Sequence, residues 1–146
     1  MKYKIVWIGK TKEPAIEALT ADYLKRIGRY VEVEGTAVKD EAAILKLCSP
    51  TSRPKHGLVL LDSRGKQFSS EEFSGWLRDY QDRNSSTLLF AIGPANGFSQ
   101  EARHVATQVI SLGQMTLAHE LARVVLLEQI YRAFTIIKGH PYHLGH

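Results

Sequence analysis

Two short stretches constrain this chain more than anything else in it: Leu58–Leu61 and Thr87–Ile92, which are apolar at almost every position. A strand with one face in water alternates apolar and polar residues, whereas a strand without alternation must be covered on both faces. The chain therefore needs a sheet in its interior and helices on both sides of it. Helical periodicity is found where that arrangement requires it. Pro14 stands in the first turn of a predicted helix whose apolar stripe is Ile16, Leu19, Tyr23 and Ile27. Ser69 and Glu72 form a capping-box pattern, Phe68 and Phe73 are placed as a hydrophobic staple, and Phe73, Trp76, Leu77 and Tyr80 make one stripe.

The remaining segments continue the alternation. Strands are predicted at Tyr3–Ile8, at Tyr30–Val38 with a break at Gly35, and at Thr107–Leu112. A short helix is predicted at Glu41–Leu47, and Gly93–Gly97 turns into another that Ser99 can cap. The connection Ser49–Pro54 is too short to be a domain linker. A chain of 146 residues built this way is expected to be a single α/β domain, residues 1–146, with a mostly parallel sheet sandwiched by helices.

The end of the chain is unusual. An apolar helical pattern from about Leu117 to Lys138 runs into Gly139, placed where a helix terminus needs positive φ, and Pro141 follows where helix cannot continue. What remains is a short stiff tail bearing Tyr142 and the imidazoles of His140 and His143. Chain ends are ordinarily frayed and polar unless something ties them down. The apolar residues Leu121, Val124, Val125, Leu127, Ile130, Phe134 and Ile137 cover more than one stripe of the preceding helix. Such a helix is either deeply buried or shared with a second chain, and a twofold dimer is the commonest form of sharing.

Several classes of function are set aside. No run of eighteen apolar residues exists to span a membrane, and the segment Met1–Gly9 lacks a signal-peptide layout. Cys48 is the one cysteine and no Cys/His spacing suggests zinc, so no metal is expected and the cytoplasm is the default location. The net charge of +4 is concentrated early in the chain, where Lys2, Lys4, Lys10, Lys12, Lys25, Arg26 and Arg29 outnumber Glu13, Glu17 and Asp22. This bias fits either a polyanionic partner, nucleic acid first, or a solvated helix face.

In an open parallel sheet, ligands bind beyond the carboxyl ends of the strands. Three segments fall there: Leu61-Asp62-Ser63-Arg64-Gly65, Gly93 to Gly97, and Leu112-Gly113-Gln114-Met115-Thr116-Leu117. Taken alone, Asp62–Gly65 reads as a tight turn. Gly93–Gly97 lacks the lysine and hydroxyl of a phosphate loop. Together the three let backbone approach a flat ligand closely. His119 and Arg123 lie one helical turn apart beside them, and Glu128 and Arg132 read as an ion pair of little energetic weight. His56, His104 and His146 read as structural, His140 as a helix-end cap, and His143 as a residue that the stiff tail presents.

The strings Leu61-Asp62-x-x-Gly65-Lys66, Ile92-Gly93-x-x-x-Gly97, Ser111-x-x-x-Met115-Thr116-x-x-His119, Glu128-Gln129-x-Tyr131-Arg132-Ala133 and Gly139-His140-Pro141-Tyr142-His143 occur in this order over nearly the whole chain. In these the chain resembles the ribosomal RNA large-subunit methyltransferase H family of the SPOUT class. The resemblance implies an α/β fold whose C-terminal part threads into a deep trefoil knot, which general topology rules would never suggest. It implies S-adenosylmethionine held by Leu61, Gly93, Leu112, Gly113, Gln114, Met115, Thr116 and Leu117. It also implies a homodimer that methylates N3 of a pseudouridine in helix 69 of 23S rRNA on assembled ribosomes. His119, Arg123, Tyr142 and His143 then face the target, the tail coming from the partner chain, and His143 accepts or relays the imide proton. Pro94 stands where the family has a second glycine, Gly113 where a serine is common, and Ala118 and Glu120 where prolines flank the histidine. Leu144 replaces a charged residue at the end of the tail. Pro94 and Gly113 give footing to the alternative, a non-catalytic ribosome- or RNA-binding dimer retaining the knotted fold.

Overall fold

The computed structural model describes residues 1–48, 56–94 and 96–143; the expected loop Ser49–Pro54, Ala95 and the final Leu144-Gly145-His146 lie outside the described residues. The elements are β1 (Lys2–Ile8), α1 (Pro14–Ile27), β2 (Glu32–Val38), α2 (Glu41–Leu47), β3 (Gly57–Gln67), α3 (Ser70–Arg83), β4 (Leu88–Ile92), α4 (Gln100–Val105), β5 (Gln108–Ser111) and α5 (His119–Ile137). The strands form one five-stranded sheet in the order β2-β1-β4-β3-β5. Every neighbouring pair is parallel. The two apolar runs that demanded an internal sheet are its central strands, and all of Leu88–Ile92 is buried.

Alternate residues of each strand point into two separate cores. On one face Tyr3, Ile5, Trp7, Val59, Phe90 and Ile92 pack with Ile27 of α1, Phe73 and Leu77 of α3, and Leu126, Leu127, Ile130 and Phe134 of α5. On the other, Val6, Leu58, Leu60, Leu89 and Ala91 pack with Ile44 of α2, Ala102 of α4 and Phe98 just before it. The chain steps one way along the sheet through α1 and α3 on the first face, and the other way through α2 and α4 on the second. All four crossovers therefore share one hand, as the rule for β-α-β units requires.

Local chemistry sets the ends of the elements. Both halves of the capping box form, Ser69 N–H donating to Glu72 Oε1 at 2.8 Å and Glu72 N–H to Ser69 Oγ at 3.0 Å. The staple forms as well, with the Phe68 and Phe73 ring centroids 6.3 Å apart. Gly139 takes φ of +72°, and the Gly139 and His140 amides return to the carbonyls of Ile136 and Thr135, the paired bonds of a Schellman end.

Three expectations are corrected. β2 starts at Glu32 rather than Tyr30, because the Tyr30 and Val31 amides stay bonded to the Ile27 carbonyl in the turn that ends α1. Gly35 does not break the strand; a Cβ there would lie 2.8 Å from Leu24 and 3.0 Å from Trp7, so glycine lets α1 settle onto the sheet. Asp62–Gly65 does not follow β3 but lies within it. Leu61 and Lys66 both register with Ile110 of β5, so the residues between them bulge out of the ladder. Gly65 permits the bulge, since a Cβ there would come within 2.6–2.7 Å of the Val109 and Ile110 backbone.

Gly65→Ala is expected to lower the unfolding free energy by about 1–3 kcal/mol, the usual cost of overpacking. Gly75→Ala, in α3 with open space around its Cβ position, is expected to raise it by about 0.5–1 kcal/mol. Urea unfolding of the two variants beside the parent checks both signs.

Candidate functional site

At the bulge within β3 and beyond the carboxyl ends of β4 and β5 the three segments singled out in the sequence meet around one cavity of about 120 Å³ that opens to solvent. Leu61, Gly93, Leu112, Gly113, Met115, Thr116, Leu117 and His119 all contribute to its wall. Gln114 is exposed and is not part of that wall. Ser111, quoted in the sequence strings but given no role there, shapes the last segment. Its hydroxyl donates to the Gly113 carbonyl at 2.9 Å and accepts from the Gly113 amide at 3.2 Å, with Gly113 at φ of +145°. That φ lies where only glycine is comfortable, which accounts for the residue standing there. The Pro94 carbonyl accepts from the Gly97 amide at 2.9 Å, so the proline opens a tight turn rather than obstructing it.

Asp62, on the cavity wall, belongs to an ion pair that the sequence did not announce. The Asp62 carboxylate, its side chain fully shielded from solvent, accepts from the amide, Nε and Nη2 of Arg64 and from the Phe98 amide, at 2.9–3.0 Å. Burial alone would raise this carboxyl, but the guanidinium and the two amides outweigh it and hold it at about 2. Arg64 Nη2 also reaches the Phe98 carbonyl at 2.8 Å. The β3 bulge is thereby tied to the loop that enters α4. Gly97 lies against this pair: a Cβ on it would sit 2.7 Å from Arg64 and 2.8 Å from Asp62.

His119 begins α5 and bonds through Nδ1 to the Gly93 carbonyl at 2.6 Å, which joins the helix to the end of β4. Glu120 turns the other way and caps α1 from a distance, its Oε1 accepting from the Lys12 and Glu13 amides at 3.1 and 3.2 Å. Arg123 was paired with His119 by its spacing, but the structure does not bring it to the cavity wall. Its side chain is 1% exposed, with the guanidinium 4.0 Å above the Trp7 ring. Nη1 donates to Thr11 at 2.9 Å and Thr20 at 3.3 Å, while Nε and Nη2 have no hydrogen-bond partner among the described residues. Burial lowers its pKa against the pull of Glu120 and Glu17.

The tail is ordered but away from the cavity wall. Tyr142 stands edge-on to Tyr131 at 4.8 Å, with the Arg132 guanidinium 5.0 Å from its ring centre. His143 accepts at Nδ1 from Arg132 Nη1 at 3.2 Å and reaches Glu71 through Nε2 at 2.7 Å. Arg132 is itself held by Glu128 at 2.7 Å, both side chains only 18% exposed. The pair dismissed from spacing alone thus fixes the tail. His140 binds the Tyr30 hydroxyl and joins the tail to the end of α1.

Of the early basic residues, Lys2 pairs with Glu32 and Glu34 and Lys4 with Glu34 across β1 and β2. Lys10 and Lys12, by contrast, lie on a second groove that His119 shares.

A family model described as "Predicted SPOUT methyltransferase" matches residues 1–143. A protein of Koribacter versatilis named ribosomal RNA large subunit methyltransferase H is 56% identical over 146 residues, covering all of both chains. A Geobacter sulfurreducens protein of the same name is 42% identical over 156 residues, covering 98% of this chain and 99% of that one. Among solved structures, a probable methyltransferase from Bordetella pertussis Tohama I matches with a TM-score of 0.59 at 12% identity, covering 90% of this chain and 93% of its own. A probable methylase family protein from Haemophilus influenzae Rd KW20 gives 0.60 at 11% identity, covering 96% and 69%. At such identities the structural likeness speaks for the fold.

Because Asp62 is held at about 2 against an ordinary 3.8, it contributes stability above pH 4 that is lost as pH falls toward 2. That contribution is about 2 kcal/mol. Unfolding free energies measured by urea at pH 6 and pH 3 should differ less in Asp62→Asn than in the parent; an unchanged difference would remove the ion pair from this role.

Proposed function

The chain belongs to the SPOUT methyltransferase family, and from that premise we propose that it uses S-adenosylmethionine to methylate N3 of a pseudouridine in helix 69 of 23S rRNA. It acts as a homodimer on the assembled ribosome, and its C-terminal part carries the trefoil knot of the class. The observation that carries this reading is the cavity: three glycine-bearing segments converge at the β3 bulge and the ends of β4 and β5, and every predicted cofactor residue except Gln114 stands on its wall.

The cavity suits this group chemically. No lysine or arginine stands on its wall among the described residues, so it is built for a neutral or cationic ligand rather than for a phosphate. Gly113 has open space where a side chain would be, which lets a ligand approach the backbone. Met115, 86% exposed, and Leu117 at 40% leave apolar surface beside it for a flat ring system. Leu61, Gly93 and Leu112–Leu117 hold the donor, which when bound supplies an activated methyl on a sulfonium. The chain's own task is then to place the acceptor nitrogen in line with it, the contribution of proximity.

The tail supports a division of labour between two subunits. Tyr142 and His143 are held by Tyr131, Arg132 and Glu71, apart from the cavity of their own chain. In the dimer the tail of one protomer closes the cavity of the other, and its phenol and imidazole orient the target ring. Leu121, 51% exposed at the start of α5, is part of the surface that the second copy covers.

Mass spectrometry of 23S rRNA fragments from a strain lacking this protein is expected to show the loss of one methyl group on a pseudouridine in helix 69. Unaltered methylation there would overturn the assignment. The shared site has its own test. Leu117→Glu in the cavity and His143→Ala in the tail should each nearly abolish turnover, while an equimolar mixture exchanged into mixed dimers regains about a quarter of it, one intact site in half the dimers. A mixture as inactive as its components would place cavity and tail in one chain.

A further inference from the structure

A carbonyl oxygen can only accept, so in the bond between His119 and Gly93 the ring nitrogen Nδ1 carries the hydrogen. In the neutral ring the lone pair is then on Nε2. That atom has no hydrogen-bond partner among the described residues and is not one of the buried unsatisfied atoms, so it is accessible to solvent, on a residue that stands on the walls of both the cavity and the neighbouring groove. The opposite holds for His143. Arg132 can only donate, so His143 Nδ1 holds its lone pair toward Arg132, and Nε2 donates to the Glu71 carboxylate. Both nitrogens of the tail imidazole are spoken for.

The other groups on the cavity wall do not compete. Asp62 is spent on Arg64 and Phe98, and Ser111 is turned to Gly113. Resting on the methyltransferase reading, we propose that Nε2 of His119 takes the proton from the acceptor nitrogen. In this step the N–H bond breaks and its proton joins the Nε2 lone pair; the electron pair left on nitrogen forms the bond to the methyl carbon as the carbon–sulfur bond breaks, its pair staying on sulfur, which leaves as a neutral thioether. The resulting imidazolium keeps its Nδ1–H bond to Gly93 and returns the added proton to solvent. His143 is then a positioning residue, which holds the target ring through the Arg132 and Glu71 network. The charged groups around His119 are Lys10, Lys12, Glu13 and Glu120 across the neighbouring groove, and Asp62 with its Arg64 across the cavity. Of these, Glu120 is occupied by the α1 amides.

His119→Asn separates the two functions of the ring, because the asparagine amide can still donate to the Gly93 carbonyl but has no basic nitrogen. Single-turnover methylation of ribosomes from a strain lacking this protein should fall by about 100-fold or more, the usual share of general base catalysis. The S-adenosylmethionine dissociation constant by calorimetry should stay within about threefold. In the free protein, the ¹⁵N shifts of the His119 ring should report a hydrogen on Nδ1, held by the Gly93 carbonyl. A rate within threefold of the parent, a loss confined to cofactor affinity, or an Nε2–H tautomer overturns the proposal. A parent protein that binds no S-adenosylmethionine overturns the methyltransferase reading itself, and this inference with it.

Discussion

One buried carboxylate holds the candidate site in shape. Asp62 sits on a bulge that interrupts the β3–β5 ladder, where four residues have left the sheet without a partner strand. Such a segment has lost its ladder bonds, and its polar groups need other partners. Asp62 supplies them, because its two oxygens gather the Arg64 side chain, the Arg64 amide and the Phe98 amide. An unpaired carboxylate in that position would cost several kcal/mol. Paired as it is, it makes the bulge and the loop entering α4 one rigid body, and the cavity wall is built on that body.

The layers of the fold were written in the apolar pattern, and what escaped was long-range polar geometry. Leu58–Leu61 and Thr87–Ile92 demanded burial on both faces and received it. Ser69 and Glu72 announced a cap, because a capping box is a contact between residues three apart. Asp62 announced nothing, because its partner Phe98 lies 36 residues away. Arg123 was misplaced for the same reason. Its spacing from His119 was read correctly, but whether a guanidinium turns to the cavity or under Trp7 depends on α1, which brings Thr20 to it from 103 residues earlier. The cavity wall lay largely in three contiguous strings, where strand pattern and glycine content could be read together, while the assignment of a cofactor to them came from the family resemblance. The Glu128–Arg132 pair was visible, but its importance comes from Tyr142 and His143 returning over it.

Arg123 shows how the start of α5 is fixed. A guanidinium with two unsatisfied nitrogens is a costly thing to bury. It is stabilised by stacking over Trp7 and by hydroxyls from the β1–α1 loop and from α1. Glu120 completes the arrangement by occupying the amides at the head of α1. The first turn of α5 is therefore tied to two elements at once, and His119 stands on that turn. Precise placement of a proton acceptor needs this kind of support, since the helix supplies direction and the neighbouring bonds supply register.

The tail follows the same logic at the other end of α5. Its backbone is stopped by the Schellman bonds, and its side chains are clamped by Tyr131, Arg132, Glu71 and Tyr30. These bonds are all made within one chain, so the tail is ordered before a partner arrives. Ordering a loose segment on binding costs roughly 0.5–1.5 kcal/mol for each immobilised side chain, and that cost is already met here. On the proposed function, a second subunit then receives a phenol and an imidazole in fixed geometry. On the same proposal, the separation of tail and cavity in the single chain is what lets one α5 serve two sites, its start carrying His119 of one and its end presenting Tyr142 and His143 to the other.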